Sequence, residues 1–221
     1  MKKTNLILSV ILGLLFIATS VFSQNKIITK EEYNSALGNS VPKAAKIPNR
    51  MTTVTTFYKN KAVDSTRKLI SENLPPDKFR WVNTEERNGA ITSWNERITI
   101  ANIEYSKKDN GEWIKRDLKA EKSVFGGVLT TTAIETKDCW EYLLFNTTLD
   151  NQSVNLYFSY HVIELNKILY FLEDRHWINS DGLILKKMSK VSNTIPENVT
   201  NMTNTTYEYN PKDLKIEAPI K

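Results

Sequence analysis

The spacing of apolar residues changes near residue 50. Before that point Tyr33, Ala36 and Leu37 share one face of a helical repeat. Thr29-Lys30-Glu31-Glu32 precedes them as a capping box, with Ile28 and Tyr33 placed to form a hydrophobic staple. The pattern predicts a helix of two to three turns ending at Gly38, then a connector over Asn39–Asn49 that contains Pro42 and Pro48. From Met51 the period is two. Thr52, Val54, Thr56 and Tyr58 alternate with Thr53, Thr55 and Phe57, a β-branched and aromatic run that reads as a strand.

Further strands are expected at Arg67–Leu74, Phe79–Arg87, Ile91–Ile100, Ile103–Lys108 and Glu112–Asp117. Pro75-Pro76 stops the first of these, and Asn88-Gly89 and Asn110-Gly111 are two-residue hairpin signals. An Asn-Gly turn of that type needs positive φ at both positions, which a glycine accepts without a Cβ clash. Ile98 and Ile100 lie on one parity while Ile103 and Tyr105 lie on the other, which places a turn or bulge at Ala101-Asn102. Leu118–Ile134 is irregular, with a helical turn at Lys119–Lys122 and an elbow at Gly126-Gly127. Strands resume at Cys139–Phe145, Val154–Glu164, Ile168–His176, Leu183–Val191 and Thr200–Tyr209, with a turn at Asp181-Gly182. In the cleanest alternation, Val154, Leu156, Phe158, Tyr160 and Val162 oppose Asn155, Tyr157, Ser159 and His161. One face of that strand is expected to meet something apolar and the other water. Tight turns between successive strands mean an antiparallel meander, and no βαβ spacing is present.

Composition narrows the classes. A single cysteine, Cys139, makes neither a disulfide framework nor a cysteine-rich metal site, and its place beside Trp140 reads as an inert buried thiol. The five Trp, nine Tyr and eight Phe are too many for a disordered chain. Lys2-Lys3 followed by the apolar run Leu6–Phe22, with Val21 and Ser23 before Gln24, has the layout of a secretory signal peptide; the alternative is an uncleaved anchor. Cleavage removes two of the +5 formal charges, and the remaining charged stretches mix both signs. Nucleic acid is therefore not an expected partner. The chain divides into 1–23 signal, 24–49 helix and connector, and 50–221 as one β domain.

Catalytic signatures are missing. There is no nucleophile elbow, phosphate loop or dinucleotide fingerprint. His161 and His176 lie on adjacent expected strands, and a hairpin near Asn166-Lys167 would set His161 opposite Leu172, too far along for a shared metal. His161 reads as solvent-facing and His176 as structural. Glu85-Glu86 and Glu173-Asp174 point to opposite faces of their strands, so neither is an acid/base dyad. No cofactor and no enzymatic activity are expected.

Two passages resemble a known group. One is Glu96-Arg97-Ile98-x-Ile100-Ala101-Asn102-x-Glu104-Tyr105 followed by Gly111-x-Trp113. The other is His176-Trp177-Ile178-Asn179-x-x-Gly182-Leu183, with Tyr207-x-Tyr209-Asn210-Pro211 and Ile216-Glu217-Ala218-Pro219 after it. Together, over Met51–Pro219, they resemble the LolA-like periplasmic lipoprotein carriers and LppX-type lipid carriers, with Asn210 where Asp is commoner. The resemblance implies a mainly β (α+β) fold: a strongly curved antiparallel half-barrel whose apolar concave face is covered by the short N-terminal helix and one or two further helical segments. It also implies a lipid, lipoprotein acyl chain or other amphiphile as ligand. On that reading Leu156, Phe158, Tyr160 and Val162 line the cavity, with Phe79 and Trp81 from the N-terminal half. The alternative is a sensing or protein-interaction module with a closed core and an envelope protein as partner. The Lys-, Asn- and Ile-rich composition and the Ser23-Gln24 junction resemble secreted Bacteroidetes proteins, which implies a Gram-negative periplasmic or secreted location without a stable membrane anchor.

Overall fold

The structure, a computed structural model, describes residues 25–119, 141–165 and 167–220. The signal-like segment, the Cys139-Trp140 pair, the Gly126-Gly127 elbow and most of the Lys119–Lys122 turn lie outside the described residues. The two-residue β1 (Lys26–Ile27) leads into α1 (Lys30–Ala44). A first meander follows: β2 (Asn49–Lys59), β3 (Ala62–Leu74), β4 (Lys78–Arg87), β5 (Ala90–Ile100), β6 (Ile103–Lys108) and β7 (Ile114–Asp117). A second comprises β8 (Glu141–Leu149), β9 (Gln152–Leu165), β10 (Ile168–Ile178), β11 (Ile184–Asn193) and β12 (Val199–Tyr209). Antiparallel pairing of β12 with β2 joins the two into one curved, unclosed sheet of twelve strands, ordered β1-β8-β9-β10-β11-β12-β2-β3-β4-β5-β6-β7. The expected mainly β, antiparallel class is the observed one.

Helix α1 begins as its sequence dictates. The Thr29 hydroxyl accepts from the Glu32 amide at 3.1 Å, and the Glu32 carboxylate accepts from the Thr29 amide at 2.8 Å. It does not end at Gly38. It runs on through Gly38 and Pro42 to Ala44, taking most of the expected connector into the helix. Pro42 has no amide to donate to the Gly38 carbonyl, a cost set against the inward packing of Ser40, 2% exposed with its hydroxyl donating to the Ala36 carbonyl.

Residues directly opposite across an antiparallel ladder share a face. One face runs Tyr157, His176, Lys187, Thr205, Thr53, Leu69, Asn83, Asn95. The other runs Phe158, Arg175, Met188, Asn204, Val54, Lys68, Thr84, Trp94. Helix α1 packs on the first. Tyr33 meets Tyr142 with the rings tilted at 53° and their centroids 5.0 Å apart, and meets Tyr157 edge-on at 6.5 Å, forming a small core with Ile28, Leu37 and Leu144. The Tyr157 and Ser159 parity of β9, expected to face water, is therefore the one that carries the helix, with Ser159 itself buried. Alternation separates two faces but does not say which receives a partner; here tyrosine rings and hydroxyls make the contact.

The far face is covered at β5 and β6 by the C-terminal segment. Ile216 is 1% exposed there against Ile98 and Tyr105, flanked by Leu214, Ile100, Ile103, Leu74 and Trp113. Beside it an ionic ladder crosses four strands: Arg50 to Glu72 at 2.7 Å, Glu72 to Arg80 at 3.0 Å, and Arg80 to Glu96 at 2.6 Å. Arg50 also holds Asp213 at 2.9 Å, tying the segment down, and lowers the Asp213 carboxyl pKa below its ordinary value.

Candidate functional site

Two features attach α1 to the helix face. Towards its start, the Ser159 hydroxyl donates to the Tyr33 phenol at 3.1 Å, and the phenol lies 3.2 Å from Nδ1 of His176. Burial, reinforced by Lys187, lowers the His176 pKa to about 4, so the imidazole is neutral, and its tautomer sets which partner donates in the bond. Burial likewise raises the Tyr33 pKa to about 12. Towards its end, Lys43 donates to the Asp181 carbonyl at 2.8 Å in the β10–β11 turn, where Asn179 accepts from the amides of Asp181 and Leu183.

Between the C-terminal half of α1 and the sheet lies a cleft of about 280 Å³, lined by α1 and by five consecutive strands of the sheet, β11, β12, β2, β3 and β4. Its apolar walls are Val41 and Ala44 from the helix, Met51, Phe79, Ile184 and the rings of Tyr207 and Tyr209. Most polar groups at the rim are already engaged. The Tyr209 hydroxyl donates to the Ile184 carbonyl at 2.8 Å, and the Asn49 amide donates to the carbonyls of Ala44 and Ile47 at 3.0 and 2.7 Å. Tyr207 and Tyr209 are stacked 6.4 Å apart, and burial raises both pKa values, that of Tyr209 to about 12. With the Tyr209 and Asn49 hydrogen bonds made internally, the walls present mainly hydrocarbon to the space. Val41 at 64% and Phe79 at 37% exposure leave apolar surface uncovered on its two sides. A cleft with this lining offers burial rather than chemistry.

The six residues expected to line a ligand site do not share one face. Phe79 is in the cleft. Trp81 is on the same face, opposite Ser71 and Arg97, in a neighbouring hollow of about 240 Å³ with Asn95 and Ile114. Leu156, Phe158, Tyr160 and Val162 are on the far face. There Tyr160 stacks on Phe171 at 6.5 Å, and the Arg175 guanidinium lies 5.7 Å over the Phe158 ring while pairing with Glu173 at 2.7 Å. Parity within β4 and within β9 says which residues of each strand go together. Relating the two strands requires the register of the seven between and including them. Val41, Met51, Ile184, Tyr207 and Tyr209 were not anticipated; the Tyr207-x-Tyr209 spacing was the one signal available, as two rings on one face of a strand.

The histidine register is as expected: His161 pairs with Leu172, and His176 lies opposite Tyr157. His161 is half-buried rather than solvent-facing. Among the described residues no group of three or more metal-binding side chains converges, and no helix is long and apolar enough to cross a membrane.

No family model matches the chain, and no curated protein matches it. Among solved structures it is similar to LprF from Mycobacterium bovis, at 11% identity and a TM-score of 0.42 over 87% of this chain and 99% of that one. A LolA superfamily protein from Nitrosomonas europaea matches at 9% identity and a TM-score of 0.26 over 77% and 90%. A DUF1329 family protein from Desulfovibrio piger matches at 9% identity and a TM-score of 0.27 over 89% and 96%. The likeness is loose.

Proposed function

We propose that the protein is a non-enzymatic binder of an apolar or amphiphilic molecule, such as a lipid or the acyl chain of a lipoprotein, acting outside the cytoplasm after loss of residues 1–23. The supporting observation is the cleft between α1 and the sheet, whose walls are mainly hydrocarbon, with the Tyr209 and Asn49 polar groups bonded to neighbouring carbonyls. Burying apolar ligand surface there is favourable by about 25 cal/mol per Å². Val41 and Phe79 stand where a chain longer than the cleft would lie across them. The acyl chain would run past Met51, Ile184 and the two tyrosines, and its polar head would remain in water.

The test is displacement of a fluorescent fatty acid, together with mass spectrometry of an organic extract of natively purified protein. Phe79→Glu places a carboxylate beside the ligand, whose desolvation opposes binding, and should weaken the probe at least tenfold. Phe158→Glu, on the far face, should leave it within twofold. The reverse ranking would move the site to the β9 row of Leu156, Phe158, Tyr160 and Val162. No binding by folded wild type and an empty extract would favour a closed interaction module instead.

A further inference from the structure

The helix face of the sheet continues past the cleft. Phe79 lines the cleft, and two residues along β4, about 7 Å away, Trp81 faces a second hollow of about 240 Å³. The register builds that hollow from four strands. Trp81 lies opposite Arg97, Arg97 opposite Ser106, and Ser106 opposite Ile114. A second row runs beside the first, with Asn83 opposite Asn95 and Asn95 opposite Lys108.

Its polar groups differ from those of the cleft, where the Tyr209 hydroxyl and the Asn49 amide are spent on carbonyls. Among the described residues, the side chains of Asn83, Asn95 and Ser106 make no hydrogen bond, and neither does the Trp81 indole N–H, although all four residues are half-buried. Polar groups at that depth ordinarily find partners. The Trp81 ring is also open: among the described residues no aromatic ring or cation lies over it, whereas Trp177 has the Lys186 ammonium 5.2 Å from its centroid. Charge around the hollow is balanced. Arg97 pairs with Glu104 at 3.3 Å and Glu96 with Arg80 at 2.6 Å, while Lys107 and Lys108 are followed by Asp109 and Glu112 in the β6–β7 connection.

We infer that this hollow binds a neutral saccharide unit, stacked on Trp81 and hydrogen-bonded by Asn95, Asn83 and Ser106. A pyranose ring has two unlike aspects, a face of C–H groups and a rim of hydroxyls. The C–H face meets the negative face of an aromatic ring. The hydroxyls both donate and accept, which matches side-chain amides and a serine hydroxyl that do the same. An acyl chain lying here would leave those amides unpaired, at a cost on burial. A phosphate would need positive charge that the hollow does not have in surplus. The volume is just below the roughly 300–1,000 Å³ of drug-sized sites and suits a single ring. The inference does not depend on the cleft being occupied.

A glycan array tests it, followed by titration of the best-bound soluble oligosaccharide against tryptophan fluorescence. Wild type should bind at least one class of neutral glycan, with a saturable change in emission. W81A should weaken binding at least tenfold and remove most of that change. N95A/S106A, which leaves the ring in place, should weaken it at least fivefold, and decides the matter should W81A fail to fold. W94F, on the far face, should keep both the affinity and the emission change. V41E, which puts a carboxylate on the helix side of the cleft, should bind the sugar like wild type even where it loses a fatty-acid probe, so the two sites stand or fall separately. Circular dichroism and urea midpoints show which variants are folded. No glycan bound by folded wild type, or wild-type affinity in folded N95A/S106A, would overturn the inference. Binding only to lipid-linked glycans, lost in V41E, would place the sugar at the cleft and overturn it as well.

Discussion

His176 shows how one buried side chain links local geometry to behaviour in solution. With its pKa lowered to about 4, against an ordinary 6.5, the folded protein does not take up a proton that the unfolded chain binds. Stability is therefore fully present above about pH 6.5, falls as pH drops towards 4, and levels off below, over a span on the order of 2–3 kcal/mol. The variant H176Q keeps a hydrogen-bonding partner for Tyr33 without titrating. Urea midpoints at pH 7 and pH 4.5 should differ markedly in wild type and much less in H176Q. Equal differences would show that the helix anchor is not the titrating element. The residues around this site were partly legible: alternation placed Tyr157 and Ser159 together, but the helix that contacts them arrives from far away in sequence.

Turns show which local rules hold at the level of the element. Asn88-Gly89 closes β4–β5 with φ of 52° and 75°, as its sequence requires. Asn110-Gly111 does not. In the β6–β7 connection the left-handed residue is Asp109, with φ 47°, and neither Asn110 nor Gly111 is left-handed. Gly111 is instead close to the chain itself: its amide donates to the Lys108 carbonyl at 2.9 Å, and a Cβ would stand 3.0 Å from that oxygen. The two glycines should respond differently. G89A forces an L-residue into the left-handed region with open space around it, costing about 1–2 kcal/mol. G111A needs a shift of a few tenths of an ångström and should cost less than half as much. Chemical denaturation of both variants measures this, and equal costs would contradict the assignment. The extension of α1 has a similar origin: Gly38 permits a stop, but the burial of Ser40 favours continuation.

The whole molecule is two meanders joined at β12–β2, where Thr53 meets Thr205 and Thr55 meets Thr203 through hydroxyl bonds of 3.0 Å. The C-terminal segment then crosses the far face and supplies Ile216 to a core otherwise made by β5 and β6. Replacing that side chain by Asp buries a carboxylate among Ile98, Tyr105 and Leu214. I216D should cost at least about 3 kcal/mol, and I216A about 2–4 kcal/mol. Thermal unfolding of both is the check; a midpoint unchanged in I216D would mean that the segment does not hold this position in solution.

Strands, their order within each meander, the helix start and the pairing of His161 with Leu172 were legible in the sequence. Each depends on local information: period, turn residues, capping and the short register of a hairpin. The junction of β12 with β2, the face that α1 occupies and the partition of Phe79 from Phe158 were not. They arise from pairings between segments as far apart as Asn49 and Tyr209, and a one-residue change of register anywhere along the sheet would exchange its faces. The cleft belongs to that second kind. Its walls come from a helix and five strands, none of which carries a distinctive pattern alone, and only their packing brings the apolar surfaces together.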